Sequence, residues 1–195
     1  FADPSVFKGA KAILLSDYAK GALDDAAIKA ALDAGRIMGV PVIVDPKGAD
    51  FARYGAVDLI KPNAAELAGA TGMPTKTDEE VEAALACLFS KTTAKAVMVT
   101  RAGKGMSLAR RGEAVVHFPA RALEVFDVSG AGDTCLAALG LALAADKSLE
   151  VAAQFAILAS GIVVGKAGTA VVTPDELLEA ERDGQSLAIG TGLLS

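Results

Sequence analysis

The chain of 195 residues has no tryptophan, a single histidine and two cysteines, and only 5% of it is aromatic. Each scarcity excludes something. Few rings are present to stack on bases, and a net charge of −5 offers no basic stripe, so nucleic acid is not an expected partner. A Ser-His-Asp triad or a multi-histidine zinc centre would have to be built around His117 alone. In VVHFP that residue reads instead as a strand or surface position. Cys87 and Cys135 lie far apart and match no redox or ligand spacing, as expected for two reduced, buried thiols in a cytoplasmic protein. No apolar run of about 18 residues escapes a charge or a helix breaker, so no membrane partner is expected. The opening FADPSVFKGAK has neither an initiator Met nor the apolar centre of a signal peptide, and a piece of a longer polypeptide is the expectation.

What the chain does have is apolar content, 52% hydrophobic against 22% charged, arranged as short buried runs alternating with helical patterns. That alternation predicts an α/β fold with a mostly parallel sheet. Strands are expected at 12–17, 40–46, 57–63 and 94–101, with a more polar edge hairpin turning at Arg111-Gly112. Helices are expected over 24–39, over the short stretch closed by Gly72, and over 77–91, where Thr77 and Glu80 spell a capping box. Two long apolar helices follow, one to about Ala145 and one from Leu149 to about Val164, the first buried nearly all round. A last short helix begins near Pro174. The expected division is a domain over 1–179 and a linker or tail over 180–195.

Ligands of open parallel sheets gather beyond the carboxyl ends of the strands. The polar residues placed there are Asp17 and Lys20, Asp45 and Lys47, Lys61, Asn63 and Glu66, then Thr100, Arg101, Gly103 and Gly105. To these DVSGAGDT adds Asp127, Ser129, Gly130, Ala131, Gly132 and Asp133 at the mouth of the first long apolar helix. A helix entered through Gly-Ala-Gly leaves backbone N–H groups open to an anion, and its dipole adds to their pull. Asp133 in the first turn would then accept a proton beside an oxyanion cradle, an arrangement suited to hydroxyl attack on a terminal phosphate. Read singly, each motif has a plainer meaning. Asp127 and Asp133 can be ordinary cap residues, Asn63 with Glu66 a helix cap, and the glycines of VTRAGKG a tight hairpin turn. Asn63 and Glu66 also suit the sparse, water-rich coordination that Mg²⁺ prefers. No phosphate-loop or dinucleotide fingerprint is present.

In this order, Asn63–Glu66 as N-x-x-E, Thr100–Gly105 as a T-x-x-G-x-G variant, DVSGAGD at 127–133 and GKAGT at 165–169 resemble the ribokinase-like (PfkB) carbohydrate kinases. SDYAKG (16–21), VDPKGADFARYGAVDLIKPN (44–63) and VVGKAGTAVVTPDEL (163–177) are similar to one subgroup, the heptose 7-phosphate kinase module of ADP-heptose synthase. The resemblance implies a three-layer α/β/α fold without the N-terminal half and lid. It implies ATP-dependent transfer to C1 of D-glycero-β-D-manno-heptose 7-phosphate, on the route to the lipopolysaccharide core. On it, Asp133 is the base, and the amides of Gly130, Ala131 and Gly132 form the anion hole. Asn63 and Glu66 order Mg²⁺ through water, and Asn63, Thr100, Arg101, Gly103, Gly105, Lys166 and Gly168 lie along the ATP. Asp127 and Ser129, with the loop to Thr169, match a monovalent-cation site for K⁺. A sugar phosphate is the implied partner, together with a nucleotidyltransferase domain in a longer parent chain; relatives dimerise through the lid, so the resemblance leaves a homodimer open. Ile157 stands where many relatives carry Asn, which leaves nucleotide specificity open. The missing front half leads to an expectation of weak or absent activity for the chain alone. A non-catalytic nucleotide-binding remnant and a kinase for another sugar are the alternatives.

Overall fold

The computed structural model describes residues 4–120, 127–168 and 170–182, in two compact units. The first, Phe1–Arg101 with Ser107–His117, carries the sheet. Its strands are β1 (Ile13–Ser16), β2 (Val42–Asp45), β3 (Leu59–Ile60), β4 (Ala96–Thr100), β5 (Met106–Arg110) and β6 (Val116–Phe118), side by side in chain order. β1 to β4 are parallel, with Ile13 beside Val42, Ile43 beside Leu59, and Leu59 beside Ala96. This register brings the carboxyl ends level: Ser16 lies beside Asp45, and Asn63 bridges to Thr100.

The β-branched runs explain the strands. VIV of β2 and AVMV of β4 are buried throughout, as strands covered on both faces must be. β1, at the sheet edge, alternates instead, and Leu14 is exposed. α1 (Asp25–Met38) begins where the Asp24 carboxylate accepts from Ala27 N and ends at Gly39. Its Ile28, Ala31 and Ala34 face a core shared with Leu15, Val44, Phe51, Val57 and Ile60. β3 leads into α2 (Ala64–Thr71) and α3 (Asp78–Lys91). The expected capping box of Thr77 and Glu80 is formed, a cap of the kind whose loss costs about 1 kcal/mol. The expected edge hairpin is present as β5 and β6. A turn over Pro4–Phe7 precedes β1, in a stretch where no element was expected.

The second unit, Ala102–Met106 with Phe118–Ser195, is helical. α4 (Ala131–Ala144) packs on α5 (Leu149–Val164), and α5 meets α6 (Pro174–Arg182). Small side chains are buried on both helices, Ala138 and Ala142 on α4 and Ala152, Ala156 and Ala159 on α5. The expectation that α4 is buried nearly all round needs correction. Asp133, Ala137 and Leu141, one helical turn apart, form an exposed line, with Leu141 at 61% exposure. α6 runs through Arg182, past the expected boundary at 179, and 183–195 lie outside the described residues. Among the described residues no helix is long and apolar enough to cross a membrane.

Candidate active site

At the strand ends of the sheet unit, most of the expected polar residues are held by one another. Asp17, 7% exposed after β1, accepts from Ala19 N at 2.7 Å, the Tyr54 hydroxyl at 2.8 Å and Arg53 Nη1 at 3.0 Å. Tyr54 in turn accepts from Lys47 N at 3.1 Å, fixing the loop after β2. Burial pushes the Tyr54 phenol up to about 12, and its bond to Asp17 acts in the same direction. Lys61, 2% exposed, pairs with Asp45 at 2.9 Å, a buried charge satisfied by the neighbouring strand. Lys20 is exposed.

Asn63 and Glu66 form a complete capping box at the start of α2. Asn63 Oδ1 accepts from Glu66 N at 2.8 Å, and Glu66 Oε2 accepts from Asn63 N at 2.9 Å. The plain structural meaning of N-x-x-E is therefore realised, and it consumes one carboxylate oxygen. The other, Oε1, takes Lys47 Nζ at 2.8 Å, and this contact raises the Lys47 ammonium above its ordinary range. Among the described residues no cluster of three or more His, Cys, Asp or Glu could cage a metal. Both oxygens of Glu66 are thus engaged, and the one that meets the half-exposed Lys47 ammonium suits Mg²⁺ held mainly by water and substrate phosphates, so these residues fit that ion.

β4 ends at Thr100, opposite Asn63, and the chain turns through Ala102–Lys104. Ala102 to Lys104 are exposed, and a side chain at Gly103 would meet nothing within 4 Å. Gly105 is glycine for another reason. It is buried with φ +86°, and a Cβ there would collide with the backbone of Phe118–Ala120. The Arg101 side chain does not follow the turn outward; it is buried with Asp78, Ser107 and His117. Sequence reading missed these three partners, because nothing in their spacing marks them as neighbours of Arg101.

In the helical unit, α4 starts from Gly130 in a left-handed conformation, φ +80°, and no side chain caps it. An L-residue with a side chain would be strained at that φ, which accounts for the glycine. Of the three amides expected to cradle an anion, that of Ala131 is directed at Val128 O, 3.2 Å away. Gly132 is exposed, with open space where a Cβ would stand, and Asp133 is exposed in the first turn. An uncapped helix start with small residues is the geometry that receives anions.

The Asp127 carboxylate accepts from Ser129 N at 2.8 Å and from the Gly168 amide, and these bonds hold it below the usual carboxylate range, Ser129 contributing most. Asp127 N donates to Val164 O at 3.0 Å, so DVSG lies along the end of α5. The structure thus brings Asp127, Ser129 and Gly168 together; Thr169 lies outside the described residues. Lys166 is occupied differently from the expected contact with nucleotide. Its ammonium donates to Val171 O at 2.7 Å and pairs with Glu176 on α6. Ile157 is packed in the helical core, 8% exposed.

Known proteins share both the sequence and the fold. The chain matches the pfkB family carbohydrate kinases over residues 3–176. It is 52% identical over 172 residues to the bifunctional protein HldE of Hyphomonas neptunium, covering 88% of this chain and 35% of that one. It therefore spans about a third of the length of the curated relatives it matches. Among solved structures, ribokinase of Arabidopsis thaliana, complexed with ribose and ATP, superposes with a TM-score of 0.79 at 30% identity. That match covers 91% of this chain and 57% of the ribokinase. Phosphofructokinase-2 of Escherichia coli, in complex with potassium, gives 0.73 at 23% identity, over 87% of this chain and 56% of that one. The chain thus has a ribokinase-like fold, and it belongs to the pfkB family of carbohydrate kinases.

Proposed function

We propose that this chain is the nucleotide-binding and catalytic portion of an ATP-dependent kinase that phosphorylates heptose 7-phosphate at C1, supplying ADP-heptose synthesis. The observation that carries the proposal is the exposed Asp133 in the first turn of α4, behind the uncapped, left-handed Gly130. A carboxylate there can take the proton of a sugar hydroxyl as the γ-phosphoryl group arrives, while the helix start stabilises the charge that develops on that group. Asn63 and Glu66 orient the triphosphate, and Thr100 with the turn through Gly103 and Gly105 lines the nucleotide. Mg²⁺, ordered through Glu66 and Asn63, would supply neutralisation of phosphate charge. Asp127 and Ser129, beside the loop carrying Lys166 and Gly168, form the candidate site for a monovalent cation such as K⁺.

The choice of acceptor rests on the similarity to the bifunctional protein HldE. On this reading the whole protein carries a second, nucleotidyltransferase activity and works in the cytoplasm. The chain spans about a third of the length of such relatives, so the activity is read for the whole protein. The test is a ³¹P NMR assay with Mg-ATP and heptose 7-phosphate, ribose or fructose 1-phosphate, using the whole protein. New signal from an anomeric phosphate with the heptose alone supports the reading. Equal or better transfer to another sugar overturns the acceptor, and ATP binding without transfer to any sugar supports a nucleotide-binding remnant instead.

A further inference from the structure

Arg101 is the one described residue with buried side-chain nitrogens that lack any hydrogen-bond partner, and it stands between β4 and the exposed turn. Its side chain is 3% exposed. Nη1 carries every contact: Asp78 Oδ1 at 2.6 Å, Ser107 Oγ at 3.1 Å and His117 Nδ1 at 3.4 Å. Nε and Nη2 are buried with no partner. The cluster extends further, because Ser107 Oγ lies 2.8 Å from His117 Nδ1 and Glu82 Oε1 lies 3.0 Å from His117 Nε2. A single guanidinium thus joins the end of β4 to β5 through Ser107, to β6 through His117, and to the first turn of α3 through Asp78.

Stability alone does not explain an arginine here. A buried guanidinium with two orphaned nitrogens is poorly compensated, and apolar residues in place of buried ion pairs often stabilise a fold. What the arginine does provide is direction. The next residue, Ala102, takes a left-handed conformation, φ +48°, without being glycine, and such a conformation persists only where the surroundings enforce it. The anchored side chain fixes the plane in which the main chain leaves β4 and so sets the start of the Ala102–Lys104 turn. Three turn residues later Gly105 is pinned against the backbone of Phe118–Ala120. Both ends of the exposed turn are therefore held, one by Arg101 and one by Gly105.

We infer that Arg101 is a positioning residue for nucleotide binding: its buried cluster with Asp78, Ser107 and His117 sets the conformation of the Ala102–Gly105 turn, and its side chain does not touch the nucleotide. This rests on the reading of that turn as part of the nucleotide site. Supporting groups that lock a site's geometry act in this way, and small misplacements there carry large effects.

The test compares Mg-ATP affinity by calorimetry, well below the unfolding temperature, for Arg101→Met, Arg101→Lys and a destabilised control, Val81→Ala, whose side chain is buried on α3. The expected result is binding weakened about tenfold for Arg101→Met, an intermediate loss for Arg101→Lys, which keeps only the pair with Asp78, and no change for the control. In the nucleotide-free protein, the amide NMR signals of Gly103 and Gly105 should move with Arg101→Met and stay in place with Val81→Ala. Unchanged affinity together with unmoved amide signals in a folded Arg101→Met overturns the inference. If that variant does not fold, Asp78→Asn and Ser107→Ala each remove one arm and are read by the same two measurements. A wild-type chain that binds no nucleotide defeats the reading of the site rather than the role of Arg101, which the amide signals then decide alone.

Discussion

Glu66 and Lys47 meet at 2.8 Å across the loop after β2, while the second oxygen of Glu66 closes the cap of α2 on Asn63 N. One carboxylate therefore caps a helix with one oxygen and meets the Lys47 ammonium with the other. Glu66→Gln separates these duties. Glutamine can still complete a capping box, and the Lys47 pair is half-exposed, so the stability change stays within about 1 kcal/mol. Mg-dependent binding of ATP should nonetheless weaken, while metal-free ATP binding changes little. Titrations with and without Mg²⁺, beside a denaturation curve, check both halves.

The Tyr54 phenol offers an alkaline signature. Its ionisation is pushed up to about 12 from an ordinary 10.0, first by burial and then by Asp17. A raised value means that its contribution is fully present below pH 10 and is lost as pH climbs through about 12. Tyr54→Phe leaves Asp17 with one donor fewer and should cost about 1–3 kcal/mol at neutral pH. The difference between wild type and variant should hold steady to pH 10 and shrink above it, as read from urea midpoints across that range.

At the acid end the pair of Lys166 and Glu176 plays the opposite part. Lys166 chiefly, then the amide and hydroxyl of Thr173, hold the Glu176 carboxyl down at about 2 against an ordinary 4.5. A lowered value contributes above pH 4.5 and is lost as pH falls toward 2. Protection factors in the first turn of α6, taken against the intrinsic exchange rate at each pH, should therefore fall over that interval, and Glu176→Gln should show low protection at every pH.

Much of the scaffold was legible because periodicity and caps are local. AILLSD became β1, Asp24 and Gly39 bounded α1 as expected, and Thr77 with Glu80 closed their box. The site was legible only as a set of positions. Which charges neutralise which depends on tertiary contacts, with strand pairing bringing Lys61 to Asp45 and the meeting of α5 with α6 bringing Lys166 to Glu176, so neither pair could be read from spacing. Arg101 shows the limit most clearly. Its place after β4 pointed to the nucleotide, whereas its partners come from α3, β5 and β6, between 6 and 23 positions away in the chain. The exposed line of α4 escaped notice for a related reason: an all-apolar helix carries no pattern that marks which side is left uncovered.

The most direct measurement is Mg-ATP binding and γ-phosphoryl transfer by the whole protein, wild type against Asp133→Asn. Asparagine keeps the size of the side chain and removes its ability to take a proton. The account expects nucleotide affinity unchanged within about twofold and transfer to the sugar reduced by about 10² to 10⁴. Transfer at the wild-type rate by a folded Asp133→Asn would contradict it.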